Sequence, residues 1–78
     1  MGTSVHEALA VAVQVDDHSI RVTLQDGRTI SAPISWFPTL LNAAPEARSN
    51  WRLIGAGEGI HWPELDEDIS VAGLLAGR

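Results

Sequence analysis

The sequence predicts an α+β fold: a three-stranded antiparallel meander over about residues 8–32, packed against short helices, with a fourth short strand near 51–54. Three features carry this. From Leu9 the larger apolar residues recur with period two, at Leu9, Val11, Val13 and Val15 and again at Ile20, Val22 and Leu24, the mark of half-buried strands. Two polar turns, Asp16-Asp17-His18-Ser19 and Gln25-Asp26-Gly27, interrupt that alternation. Beyond Pro33 the apolar spacing turns helical, at Trp36, Phe37, Leu40, Leu41 and Ala44.

Residues 1–7 read as a loosely ordered polar start to a single domain covering 1–78. In the first strand Leu9, Val11, Val13 and Val15 share one face, which is assigned to the core, and Ala8, Ala10, Ala12 and Gln14 share the other. Across the four-residue turn, Val15 falls opposite Ile20 and Val13 opposite Val22, so the two apolar faces coincide. Register selects the next turn. A two-residue Asp26-Gly27 loop would set Ile30 opposite Thr23, on the polar face, whereas a three-residue loop sets Val22 opposite Ile30 and Leu24 opposite Arg28. A one-residue slip would expose an entire apolar face. The three-residue loop is therefore expected, with Gly27 left-handed, and the third strand runs from about Arg28 to Ala32.

One apolar sheet face requires a lid. Ser35 stands where a helix N-cap is wanted, ahead of the Trp36–Ala44 pattern, and Pro38 fits the first turn. Pro45 ends that helix and opens a second short one through Arg48. Residues Trp51 to Ile54 read as the fourth strand and Gly55 to Gly59 as a flexible turn. Ile60-His61-Trp62 is extended, with Trp62 held out of helix by Pro63. Ser70 suits the cap of a last short helix, Val71 to Ala76, with Gly77 as its stop.

A chain of 78 residues has a thin core, burying about 60–65% of the surface its unfolded form exposes. Self-association into a homodimer would add stability. The absence of cysteine removes disulfides, thiol catalysis and cysteine metal sites. Ten acidic residues face five arginines and no lysine, for a formal charge of -5. Scattered Arg21, Arg28, Arg48, Arg52 and Arg78 make a poor phosphate-binding footprint, so direct nucleic-acid binding is not expected. The same charge disfavours anionic membranes. The apolar run Ala8 to Val13 is short and no basic residue precedes it, unlike a signal peptide, and His6 stands where myristoylation wants Ser or Thr. A cytoplasmic location is the expectation.

The second half holds the candidate chemistry. Glu64, Asp66, Glu67 and Asp68 with His61 supply hard oxygen ligands and an imidazole for a divalent cation. The simpler account sets these carboxylates beside a helix start or against Arg48 or Arg52. Gly55-x-Gly57-x-Gly59 lacks the spacing of a dinucleotide loop and carries an anionic Glu58, so it reads as a turn. Ser35 or Ser49 with His61 and Asp66 makes a catalytic set on paper, without a nucleophile elbow. No enzyme and no cofactor are expected. Trp36, Trp51 and Trp62 belong either to the core or to an interface, where aromatics dominate. Trp62, between His61 and Pro63, is the candidate for the surface.

Taken together, Pro33-x-x-Trp36-Phe37-Pro38-x-Leu40-Leu41, Ala47-Arg48-x-Asn50-Trp51 and Gly59-Ile60-His61-Trp62-Pro63-x-Leu65-Asp66-Glu67-Asp68-Ile69 resemble the bacterial domain-of-unknown-function 2442 family. The likeness runs from about Leu9 to Gly77, and the acidic string is its most specific part. Thr39 stands where a basic residue is common, and Ala44 where a capping threonine is common, which weakens the short helix that follows. The resemblance implies a small α+β fold without an established activity. Its members occur alone, fused to helix-turn-helix domains, or beside genes for other small proteins, which implies a regulatory, antitoxin-like or transcription-accessory module. The leading expectation is a non-enzymatic protein–protein interaction domain with a basic partner, binding through His61, Trp62, Glu64, Asp66, Glu67 and Asp68. The alternative is a small-ligand or divalent-metal-binding domain that uses His61 and the run Glu64 to Asp68.

Overall fold

Alternation and turn chemistry build the first half of the chain as expected. The computed structural model describes residues 8–77, so the loose start assigned to 1–7 lies outside the described residues. Strands β1 (Ala10–Val15), β2 (Ser19–Leu24) and β3 (Thr29–Pro33) form an antiparallel sheet in that order. Val15 pairs with Ile20, Val13 with Val22 and Val22 with Ile30. The three-residue loop is present: the Gly27 amide donates to the Leu24 carbonyl at 3.0 Å, and Gly27 has φ +95.

Strand β1 departs from strict alternation. A bulge between Ala10 and Ala12 interrupts its register with β2. On its N-terminal side Ala8 and Ala10 face the core and Val11 is 51% exposed. The assignment of Leu9 and Val11 to the core face is thereby corrected; only Val13 and, in part, Val15 hold it. The reason is local packing. The Ala10 amide donates to the Gly57 carbonyl at 2.8 Å, and a small residue permits that close approach.

Both turns of the first sheet are clasped by an aspartate. Asp16 Oδ1 accepts from the amides of His18 and Ser19, each at 2.8 Å. Asp26 accepts from the Arg28 amide at 3.0 Å and from its Nε at 2.8 Å. Chiefly because of the backbone N–H donors, both carboxyls are held below the usual aspartate range. A carboxyl whose folded pKa is depressed stabilises the fold above its unfolded pKa of ~3.9, and that contribution disappears as pH falls through the folded value. Asp16→Asn and Asp26→Asn are therefore expected to flatten the acid limb of a melting-temperature profile recorded below about pH 4. An unchanged acid limb in the double variant would refute this.

The lid is more broken than its apolar spacing implies. A 3₁₀ turn at Ile34–Trp36 is followed by α1 (Pro38–Leu41), and the two are separated by Phe37 at φ -129, ψ 79. Pro38 disfavours the helical conformation in the residue before it, so one continuous helix from Trp36 cannot form. Ser35 lies inside the 3₁₀ turn and no side chain caps either segment, which corrects the expected N-cap. Ile34, Phe37 and Leu40 are buried, while Trp36 and Leu41 are 48% and 42% exposed. Helix α2 spans Pro45–Ser49, and its N-cap Ala44 makes no side-chain hydrogen bond.

The second half forms a sheet of its own. Strands β4 (Arg52–Ile54), β5 (Gly59–Trp62) and β6 (Glu67–Ser70) are antiparallel in that order. β4 matches the expected fourth strand; β6 is an addition, taking in Glu67 and Asp68 at the end of the acidic run. α3 (Val71–Leu75) closes the chain, with Ser70 Oγ accepting from the Gly73 amide at 2.9 Å as its cap. The sheets and lid share one core, in which Ile20, Val22, Leu24, Leu40, Ile60, Trp62 and Val71 are essentially inaccessible.

Candidate functional site

Cross-strand pairing in the second sheet decides where each candidate side chain goes. Leu53, Ile60 and Ile69 form one row across β4, β5 and β6, packed on the core. The neighbouring rows, Arg52–His61–Asp68 and Ile54–Gly59–Ser70, lie on the opposite face because strand side chains alternate. His61 Nδ1 is hydrogen-bonded to Asp68 Oδ1, and Arg52, on the other side of His61, is exposed.

The other acidic residues are spread out. Glu64 and Asp66 lie in the turn joining β5 and β6, with Glu64 Oε2 accepting from Asn50 Nδ2 at 2.8 Å. Glu67 pairs with Trp62 in register. Asp66 takes φ +50, a left-handed conformation that aspartate tolerates and β-branched residues do not. Asp66→Val is expected to cost about 1–2 kcal/mol, while Asp66→Asn leaves stability nearly unchanged; urea unfolding of both variants checks this. Among the described residues, no three His, Asp or Glu side chains are grouped to hold a metal ion. The cation alternative built on His61 and the Glu64–Asp68 run thus has no geometric support.

Trp62 requires a correction. It is completely buried, and its Nε1 donates to the Arg48 carbonyl at 2.9 Å. Because β5 alternates, Ile60 and Trp62 enter the core while His61 stays near solvent, and Trp62 cannot offer its indole to a partner. Trp51 packs partly against the core, which leaves Trp36 as the exposed indole. Arg48, which the sequence offered as a partner for the acidic run, instead bonds Asp17 at 2.8 Å.

Sequence reasoning passed over the residues beside Asp68. A groove of about 230 Å³ is lined by Ile54, Glu58, Gly59, Asp68, Ile69 and Ser70. Its accessible lining is apolar, and Ile54 is 42% exposed. The signal that would have found it is the pairing of Ile54 with Gly59 and Gly59 with Ser70, which appears only once β6 is recognised as a strand.

The fold defines a small α+β domain with two three-stranded sheets around a shared core. The chain belongs to the family described as protein of unknown function (DUF2442), which matches residues 10–78. It is similar to a protein of unknown function from Rhodospirillum rubrum, whose crystal structure has a TM-score of 0.78 at 32% identity, over 91% of this chain and 88% of that one. An uncharacterised protein from Chromobacterium violaceum, solved by NMR, has a TM-score of 0.75 at 26% identity, over 90% of this chain and 66% of that one. No curated protein matches the chain. Among the described residues, no helix is long and apolar enough to cross a membrane.

Proposed function

We propose that the chain acts as a non-enzymatic protein–protein interaction module, the regulatory half of a two-protein pair, with the acidic run Glu64 to Asp68 as its contact surface and a basic protein as its partner. One observation carries this reading. Glu58, Glu64, Asp66, Glu67 and Asp68 lie close together in the chain, and among the described residues their one ion-pair contact is that of Asp68 with His61. An excess of exposed carboxylates on a small domain steers an oppositely charged partner and rejects polyanions. The formal charge of -5 extends the same field over the whole chain.

The test is co-purification of the tagged full chain from its native host. A stoichiometric basic protein that is retained at low salt and released at high salt is the expected result, since exposed charge contacts are screened. Retention of no protein, together with a melting temperature raised by millimolar Mg²⁺, Mn²⁺ or Zn²⁺, would replace this reading with the cation-binding one.

A further inference from the structure

We infer that the Asp26-Gly27 peptide is a latent site of isoaspartate formation, which the β2–β3 hairpin holds shut and each opening of that hairpin exposes. The inference is independent of the interaction reading above, and the modification it names needs no reagent but water.

Residue type sets the chemistry. Asp26-Gly27 is the one Asp-Gly step in the sequence, and there is no Asn-Gly step. A glycine nitrogen has no neighbouring Cβ to shield it, so it can attack Cγ of the preceding aspartic acid. A C–N bond forms, and the carboxyl hydroxyl leaves as water with the amide proton. Water then opens the cyclic imide. Cleavage at the Cγ–N bond restores aspartate, whereas cleavage at the original peptide bond leaves the chain running through Cβ and Cγ, with a free α-carboxylate. Mass is unchanged and the main chain is one atom longer.

Three hydrogen bonds in the loop oppose that step. The Gly27 amide, which must attack, donates to the Leu24 carbonyl at 3.0 Å. The carboxylate it must reach is held by Arg28, with Oδ1 accepting from the backbone amide at 3.0 Å and Oδ2 from Nε at 2.8 Å. These donors keep the carboxyl below the usual aspartate range, and the ionised form is a poorer acyl acceptor than the acid. Packing takes no part in the protection, since nothing lies within 4 Å of a Cβ built at Gly27. The loop is therefore open to water, and exposed hydrogen-bonded turns open at low free energy.

The product does not fit the hairpin. The three-residue loop sets Val22 opposite Ile30, and an added main-chain atom disturbs the register on which the buried face depends. The Asp26 side-chain acceptor for the Arg28 amide is lost as well. What remains on the surface is an isoaspartyl α-carboxylate, the group that a carboxyl methyltransferase of the repair class takes as substrate.

The experiment ages the full chain at neutral pH, folded in buffer and unfolded in guanidinium chloride, and follows the tryptic peptide that carries Asp26, residues 22–28 in the wild type. Isoaspartate shows as a second peak of equal mass that an isoaspartyl methyltransferase labels from S-adenosylmethionine. The unfolded chain should isomerise about ten-fold or more faster than the folded one, because reaction proceeds through the open fraction. Arg28→Ala should raise the folded rate severalfold and leave the unfolded rate unchanged, while Arg52→Ala, on the second sheet, should change neither. Hydrogen exchange at the amides that pair β1 with β2 verifies that Arg28→Ala keeps the rest of the sheet. The isomerised chain should melt at a lower temperature than the fresh one. Equal rates in the folded and unfolded chains, an unchanged folded rate in Arg28→Ala, or no isoaspartate at Asp26 in the unfolded chain would each overturn the inference, as would an isomerised chain that melts like the fresh one.

Discussion

Arg48→Met is expected to lower the unfolding free energy by about 3 kcal/mol, because the buried Leu40 carbonyl and the part-buried Leu41 carbonyl each lose a charged donor worth about 1–3 kcal/mol. Among the described residues Arg48 is the one buried charged residue, 7% exposed. Its Nε donates to the Leu40 carbonyl and its Nη2 to the Leu41 carbonyl, both at 2.9 Å, which closes the C-terminal end of α1. Its own carbonyl receives the Trp62 indole N–H, so one residue ties lid, second sheet and core together. For a domain of this size the loss corresponds to a melting temperature lower by roughly 12–24 °C. Asp17→Asn should cost less than about 1 kcal/mol, because the Asp17 side chain is 84% exposed and its attraction to Arg48 is screened. Arg48→Lys should fall between the two, since an ammonium lacks the planar fork that reaches separate acceptors. Urea unfolding of the three variants ranks them. If Asp17→Asn proved as damaging as Arg48→Met, the ion pair and not the carbonyl clamp would hold the lid.

Gly57→Ala is expected to cost about 3 kcal/mol or more, combining left-handed backbone strain with a direct clash. Gly57 has φ +114, and a Cβ there would lie 2.9 Å from the Ala10 nitrogen and closer still to the Ala10 carbonyl oxygen. Both obstacles are backbone, so no rotamer change relieves them. The substitution attacks the seam where the β4–β5 turn docks on β1 through the hydrogen bond from Ala10 to Gly57. Gly27→Ala is the control: its φ is +95, but nothing lies within 4 Å of the added Cβ. It should lose about 1–2 kcal/mol from backbone strain alone. Hydrogen exchange reports on the mechanism, since in Gly57→Ala the Ala10 amide should lose protection before the amides that pair β2 with β3. Equal losses in the two variants would mean that the seam contributes little.

Much of the first sheet was legible because local chemistry and burial agree there. Val13, Val22 and Ile30 share a face under only one loop length at Gly27, and the structure has that loop. Ser70 was legible as a cap because a hydroxyl before an apolar turn has few better uses. Family membership was legible too, in the string from Gly59 to Ile69, which lies inside the matched region.

Three features were decided elsewhere. The faces of Leu9 and Val11 were reversed by a bulge whose cause, the bond between Ala10 and Gly57, spans residues far apart in the chain. The lid was read as one helix because apolar spacing ignores the conformational veto that Pro38 places on Phe37. Strand β6 was missed because Glu67 and Asp68 have weak strand propensity, and pairing with β5 supplies what propensity lacks.

By itself the sequence determined that the chain is an acidic α+β domain with a meander at its start, because period-two patterning and turn residues are local and act without knowledge of the rest. Only the tertiary structure decided what the second half presents to solvent. Pairing β5 between β4 and β6 drives Trp62 inward and keeps His61 and Asp68 together outside. The physical reason is that a side chain's face in a sheet is set by register with strands distant in sequence, and composition carries no record of register.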